Sequence, residues 1–398
     1  MNFRDIKKHE NEHFFSVFSR IDACFIKGKG VKLIEKSGKE YIDFLSGIAV
    51  CCLGYSDKGF KKVIKSQAED LLHTSNYFYI ESQSKLLENL SKATGYDRAF
   101  ITNSGAEAVE AAIKLARKFF FDKGESKTEI ITMKDSFHGR TLATLAASGQ
   151  KKFHDAYKPL VKSFKYVDYK DIELLEKAIN KNTCAVMIEP VLGEGGVFPA
   201  GAEYYKKVKS LCKKNKILMI ADEIQTGVGR SGSFLASAHY GVNPDIVTIA
   251  KSLGNGLPIG AVLATKKAAE AFSIGDHGST FGGNHLACAG ANYVVEKMLK
   301  TDIMKNNKEK GEYFLNKLEP ILRRKAVKEI RGLGLMVGIE FEKEFEAKGF
   351  QMALFERGYI TATAGHNTLR FLPPYTIEKK HIDGLVNEIE TIMSKIEI

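Results

Sequence analysis

A lysine closes the apolar run "DIVTIAK" at residues 245–251. Ile246, Val247, Ile249 and Ala250 read as a buried strand, and stripping water from an ammonium is costly unless the amine is needed there. Lys251 either leaves the strand end for solvent or is a nucleophile whose amine is partly deprotonated. A second apolar run, "KILMIADEIQ", ends in Asp222 and Glu223. A carboxylate in that position calls for a cation or hydrogen-bond donors. In "FITNSGAEAVEAAIKLARKF" (100–119) a strand ends at Asn103 and a helix begins. Ser104 with Glu107 three residues on predicts a capping box, and Gly105 lets backbone N–H groups approach an anion at the helix start. "MKDSFHGRT" sets Phe137, His138 and Arg140 after another strand, "MIEPVLGEGGV" sets Glu189 and Glu194 after a fourth, and Arg370 interrupts the apolar "TLRFLPP". Each has a plain structural reading: an empty strand–helix junction, a satisfied histidine, a surface arginine.

The elements that must position these residues form a pattern. From about residue 98 to 266, "RAFITN", "TEIITM", "TCAVMIEP", "KILMIADE", "DIVTIAK" and "GAVLAT" are separated by helix-like or glycine-rich stretches. This predicts an α/β fold with a mainly parallel sheet and crossover helices, whose ligands gather at the carboxyl ends of the strands. The last hundred residues predict a helix through "YVVEKMLK", strands in "KEIRGLGLMVGIEFE" and "TLRFLPP", and a closing amphipathic helix from about Thr376. The expected division is a large domain, 51–290, and a smaller α+β domain built from 1–50 and 291–398.

At 398 residues the chain can bury a large core. Its charged start, "MNFRDIKKHENEHFF", is not a signal peptide, and no apolar run approaches a membrane span, so a cytoplasmic protein is expected. The six cysteines are scattered, with no CxxC pair and no His/Cys cluster, which argues against a zinc site or a disulfide framework. A net charge of +11 raises nucleic-acid binding. However, the lysines alternate with Glu and Asp, as in "KKVIKSQAEDLL", and that marks solvated helix faces. "GVGRSG" (227–232) matches G-x-G-x-x-G and raises a nicotinamide-dependent oxidoreductase, yet the carboxylates precede the glycines. Gly241 and Pro244 also break the helix such a turn requires.

Taken together, the strand ends hold an amine able to form a Schiff base, a carboxylate able to keep a pyridine nitrogen protonated, an aromatic ring and an anion-binding helix start. That is the inventory pyridoxal phosphate requires. The sequence resembles, over essentially its full length, the class III (ω-amino acid) aminotransferases of PLP fold type I. Within them it looks most like the acetylornithine aminotransferases of arginine biosynthesis. The motifs that carry the resemblance are "NSGAEAVEAAIKLAR", "SFHGRT", "IEPVLGEGGV", "ADEIQTGVGRSG", "IAKSLGNGLPIGA", "STFGGNHLACA" and "LRFLPP".

The resemblance implies that Lys251 carries pyridoxal 5'-phosphate and moves the proton, with Asp222 opposite the pyridine nitrogen and Gln225 near the phenolic oxygen. It makes Phe137 the stacking ring, Ser104, Gly105 and Ala106 the phosphate cradle, Glu189 a further cofactor-site residue, and Thr280 a phosphate ligand from a second subunit. Arg370 would grip the α-carboxylate of glutamate, Glu194 would mask that arginine, and Arg140 would hold the other carboxylate. Ornithine δ-aminotransferases carry a tyrosine where Ile48 stands, so an apolar residue there fits an N-acylated chain. "LLHTSNYFY" (71–79) is expected to line the partner's pocket in a homodimer, while "GYSDK" (54–58) departs from the usual "GHxHP" around Tyr55. The implied reaction exchanges the terminal amine of N2-acetylornithine with 2-oxoglutarate. Succinyl-diaminopimelate, succinylornithine, ornithine and 4-aminobutyrate are the alternatives within the class.

Overall fold

A computed structural model describes residues 1–396. Its centre is a seven-stranded sheet in the order Arg98–Thr102, Gly260–Ala264, Ile246–Ile249, Leu218–Asp222, Thr183–Ile188, Glu129–Met133, Phe164–Val167. Only Gly260–Ala264 runs against the rest. Such strands are buried on both faces, which is why their sequences are continuous apolar runs. One face (Ile130, Met187, Ile220, Ile246) packs with helix Gly105–Phe121. The other (Ile131, Val186, Ile188, Met219) packs with Tyr205, Val208 and Cys212 of helix Ala202–Lys214. The parallel strands deliver their carboxyl ends to one edge, and the chain leaves them into Ser104, Phe137, Glu189, Asp222 and Lys251.

The six expected strands are all present, and Phe164–Val167 is a seventh that the pattern missed. Lys165 breaks its apolar run, and the strand lies half-buried at the sheet edge. A second, antiparallel sheet, Val327–Leu333, Met336–Phe341, Thr368–Phe371 and Ala362–Ala364, carries Arg370. The closing helix runs Lys379–Ile396, three residues later than expected from the amphipathic pattern. Strand Glu40–Asp43 pairs in parallel with Tyr359–Ile360, which ties the N-terminal strands to the C-terminal part of the chain.

Three residues after Asp43 the backbone does something unusual. Ser46, Gly47, Ile48 and Ala49 take φ of +48°, +64°, +67° and +63°, a whole turn in the left-handed region. Only one of the four is glycine, and each of the others costs about 1–2 kcal/mol relative to a right-handed conformation. Neighbours must therefore hold this turn.

Candidate active site

Lys251 turns out of strand Ile246–Ile249 with φ of +45° and opens a short 3₁₀ turn. Its side chain does not escape to solvent. It faces a cavity of about 450 Å³ that is also lined by Ser104, Gly105, Ala106, Phe137, Arg140, Glu189, Glu194, Asp222 and Gln225. Burial lowers the pKa of this amine and the Arg370 charge lowers it further, against the pull of Glu194, Asp222 and Glu189. The lowered pKa favours the neutral, nucleophilic amine.

Asp222 is held on three sides. His138 Nδ1 lies 2.7 Å from its Oδ2, while Ile224 N and Thr248 Oγ1 each donate to Oδ1 at 3.1 Å. Burial would depress the His138 pKa, but Asp222 and Glu189 outweigh it and the net shift is upward. The imidazolium therefore neutralises a carboxylate that is itself almost fully buried. His138 had only a satisfied structural role in the sequence; 84 residues separate it from Asp222, so no local signal could pair them. The neighbouring Glu223 points the other way. It accepts from Ala236 N, from Ser237 N and Oγ, and from Thr226 Oγ1, and so holds the loop that follows. That loop contains "GVGRSG", which folds around the buried Arg230 and is followed by only a five-residue 3₁₀ turn. It is a structural corner, without the long helix of a nicotinamide-binding turn.

Glu189 accepts from Phe137 N at 2.9 Å and Gly193 N at 3.1 Å. Burial nevertheless pushes its pKa up to about 7, helped by the charge on Asp222. Five residues on, Glu194 behaves in the opposite sense. Its Oε1 and Oε2 take Arg370 Nη1 and Nη2 at 2.6 and 3.3 Å. Burial acts to raise its pKa, but the guanidinium overrides it and holds the carboxyl at about 2. Arg370 is 2 % exposed and also donates to Gly193 O and Gln225 Oε1. The backbone beneath Glu194 is fixed: Gly365 N donates to Glu194 O, and the Arg331 guanidinium donates twice to Gly196 O. The loop that carries Glu194 is thus anchored through its backbone, independently of the Glu194 side chain.

Ser104 caps helix Gly105–Phe121 by accepting from Glu107 N at 3.2 Å. The return half of the expected capping box is displaced by one residue, with Glu107 accepting from the Asn103 backbone and side chain. Gly105 has no room for a side chain, since a Cβ would meet Ile224 Cδ1 at 2.9 Å. Arg140 is exposed at the mouth of the cavity, stacked 3.8 Å over the Phe153 ring. Two expected site residues are not gathered in. Thr280 is exposed, and Ile48 stands 44 % exposed on the left-handed turn. Leu71, Leu72, Tyr77, Phe78, Tyr79 and Phe281 are exposed too.

Comparison with known proteins gives this geometry a family. The family model "Aminotransferase class-III" matches residues 17–393. The chain belongs to the class-III aminotransferases. Among relatives of this class-III aminotransferase, the acetylornithine aminotransferase of Methanocaldococcus jannaschii is 45 % identical over 392 residues, 98 % of each chain. The succinylornithine transaminase of Photorhabdus laumondii is 42 % identical over 395 residues, again 98 % of each. In structure, the ornithine aminotransferase of Toxoplasma gondii is similar with a TM-score of 0.95 at 30 % identity, over 100 % of this chain and 96 % of that one. These likenesses agree with an α/β fold of PLP fold type I. Among the described residues no helix is long and apolar enough to cross a membrane, and no cluster of side chains could hold a metal ion.

Proposed function

We propose that this class-III aminotransferase transfers the terminal amino group of N2-acetylornithine to 2-oxoglutarate, giving N-acetylglutamate 5-semialdehyde and glutamate. It does so with pyridoxal 5'-phosphate, as a cytoplasmic homodimer serving arginine biosynthesis. The reading divides the chain into a large unit, 51–290, and a small one, 1–50 with 291–398. The observation that carries the substrate assignment is the closed Glu194–Arg370 pair, a carboxylate site that is shut by default.

The donor set fits the cofactor. Lys251 offers a buried amine of lowered pKa to an aldehyde, and Asp222, backed by His138, offers a pinned negative charge to a protonated ring nitrogen. Phe137 and Gln225 line the same cavity, and the start of a 17-residue helix at Ser104–Gly105–Ala106 offers backbone N–H groups to a phosphate. Glu189 braces the loops on either side through Phe137 N and Gly193 N. When bound, the cofactor supplies a sink for the electrons released as the amine-bearing carbon loses its proton. Lys251 Nζ takes that proton and returns it, since among the described residues no other amine lines the cavity.

Two unlike substrates must use this chemistry in turn. Glutamate reacts beside a carboxylate, which pairs with Arg370 once Glu194 swings aside. Acetylornithine reacts at the far end of a methylene chain, where an unpaired guanidinium would be costly, and Glu194 closes on Arg370. Arg140, at the rim, takes the remaining carboxylate of either substrate. Thr280 and the exposed 71–79 stretch complete a neighbouring subunit's site, and the apolar Ile48 favours an acylated chain over free ornithine. The test is kcat/KM for acetylornithine, succinylornithine, succinyl-diaminopimelate, ornithine and 4-aminobutyrate with 2-oxoglutarate. Acetylornithine should lead. Ornithine or 4-aminobutyrate ahead of every acylated donor would overturn the assignment.

A further inference from the structure

The left-handed turn at 46–49 is held by a residue set that the reaction does not use. Asp43, 1 % exposed, accepts from Leu45 N at 2.7 Å and Ser46 N at 3.0 Å through one oxygen. Its other oxygen accepts from Tyr55 Oη at 2.5 Å. Tyr55 is packed against Gly28 at the root of its side chain, where a Cβ on residue 28 would meet Tyr55 Cβ and Cγ at 2.6 Å, so the phenol has little freedom to turn away. At its far end the turn is joined to the catalytic strand end, for Ser252 Oγ donates to Ala49 O at 2.8 Å and Ser252 follows Lys251 directly. Val50, the residue that follows Ala49, lines the cavity. Two stretches with unfavourable backbone, the turn and Lys251 itself at φ +45°, are thus buttressed against each other. Strain of this kind persists only where surrounding contacts over-determine it, and it clusters at sites that need pre-organisation.

We propose that Tyr55 is a positioning residue for the transfer reaction. Through Asp43 it holds the turn that sets Val50 and the Lys251 corner against the substrate chain. Glutamate is fixed chiefly by its carboxylates on arginines, whereas a long ω-amine chain depends on the cavity wall for alignment. Loosening the wall should therefore harm the long substrate selectively. This rests on the substrate reading above, and the test separates the two.

Tyr55→Phe keeps the ring against Gly28 and removes only the hydroxyl. In the full chain, with and without cofactor, amide exchange in a peptide spanning 44–52 should quicken about tenfold while the central strands stay protected. In single half-reactions the variant should lose about five- to twentyfold in kcat/KM for acetylornithine, mostly in KM, and less than about twofold for glutamate. Unchanged exchange at 44–52, or equal losses on both half-reactions alongside a lowered Tm, would overturn the proposal and leave Tyr55 a packing residue. If the wild-type protein ignores acetylornithine, the substrate reading fails while the exchange measurement still decides the clasp.

Discussion

Two regions of the molecule, the cavity at the strand ends and the exposed stretch 71–79, are finished to different degrees. At the strand ends three carboxylates are already answered within the chain: Asp222 by His138, Glu194 by Arg370, and Glu189 by two backbone N–H groups. Outside the cavity lining is a surface of the opposite character, where Tyr77 is 94 % exposed, Tyr79 wholly so, and Leu71, Leu72, Phe78 and Phe281 are exposed as well. Soluble chains seldom leave so many large apolar side chains together in water without a partner. The contrast teaches a division of labour. Groups that tune protons and electrons need fixed, dry surroundings and are built by one chain, whereas in the proposed homodimer the exposed stretch would be covered by a second copy.

The finished side should be the more sensitive. Lys251→Ala is expected to lower kcat by more than about 10⁴-fold, because in the proposed reaction one amine both carries the cofactor and moves the proton. Multiple turnovers near the wild-type rate would break the assignment. Asp222→Ala should cost about 10²- to 10³-fold in kcat and also strand the His138 charge in the core, which a lowered Tm would register. A loss below about tenfold would mean that another group faces the ring nitrogen. On the unfinished side Tyr79→Asp makes a sharp probe. Replacing a fully exposed tyrosine should not disturb a lone chain, so any effect tests the proposed second copy. The expected result is dissociation seen by light scattering, with kcat/KM falling about 10²-fold. A fully active monomer would defeat the shared-site reading.

Much of the finished side was legible in the sequence because its signals are local. A lysine or aspartate that terminates an apolar run stands out, and strand ends of a parallel sheet converge by rule. Even the split between Asp222 and Glu223 follows from the two-residue period of a strand, which sends neighbours to opposite faces. His138 and its partner were not legible, for their contact spans the sheet rather than a motif. Nor was the turn at 46–49, since three of its four residues are not glycine and its conformation is imposed by Asp43 and Ser252 from outside. The roles of Glu194 and Arg370 came only with the family resemblance; the structure adds that their charges meet at 2.6 Å over an anchored backbone.

That anchoring sharpens the next expectation. Because only the Glu194 side chain needs to move, Glu194→Gln should leave Arg370 open without disturbing the loop. The glutamate half-reaction should then be unchanged or faster. The acetylornithine half-reaction should slow about ten- to hundredfold, roughly 1.4 to 2.7 kcal/mol. Stopped-flow conversion by each donor separately decides it, and equal loss on both would reduce Glu194 to a structural carboxylate.

The smallest effect concerns two carboxylates five residues apart that titrate in opposite senses. Glu194, held at about 2 by Arg370, has a folded pKa below its ordinary value of 4.5. Its stabilisation is therefore present above about pH 4.5 and lost only as pH falls through about 2, so nothing should change between pH 5 and 8. Glu189, raised to about 7 by burial, has a folded pKa above 4.5. Its protonated form is the one the fold prefers, so its contribution is fully present below about pH 4.5 and lost as pH rises through about 7. The Tm of cofactor-free protein should accordingly lose a few degrees of Glu189-dependent stability between pH 5 and 8, on the order of what a group of this shift supplies. Glu189→Gln should flatten that part of the profile, because the amide cannot ionise. Glu194→Gln should shift the whole curve without altering its slope. If Glu194→Gln changes the slope across this window, the guanidinium does not hold that carboxyl where the geometry puts it. The pair would then open with pH rather than with the arrival of a substrate carboxylate.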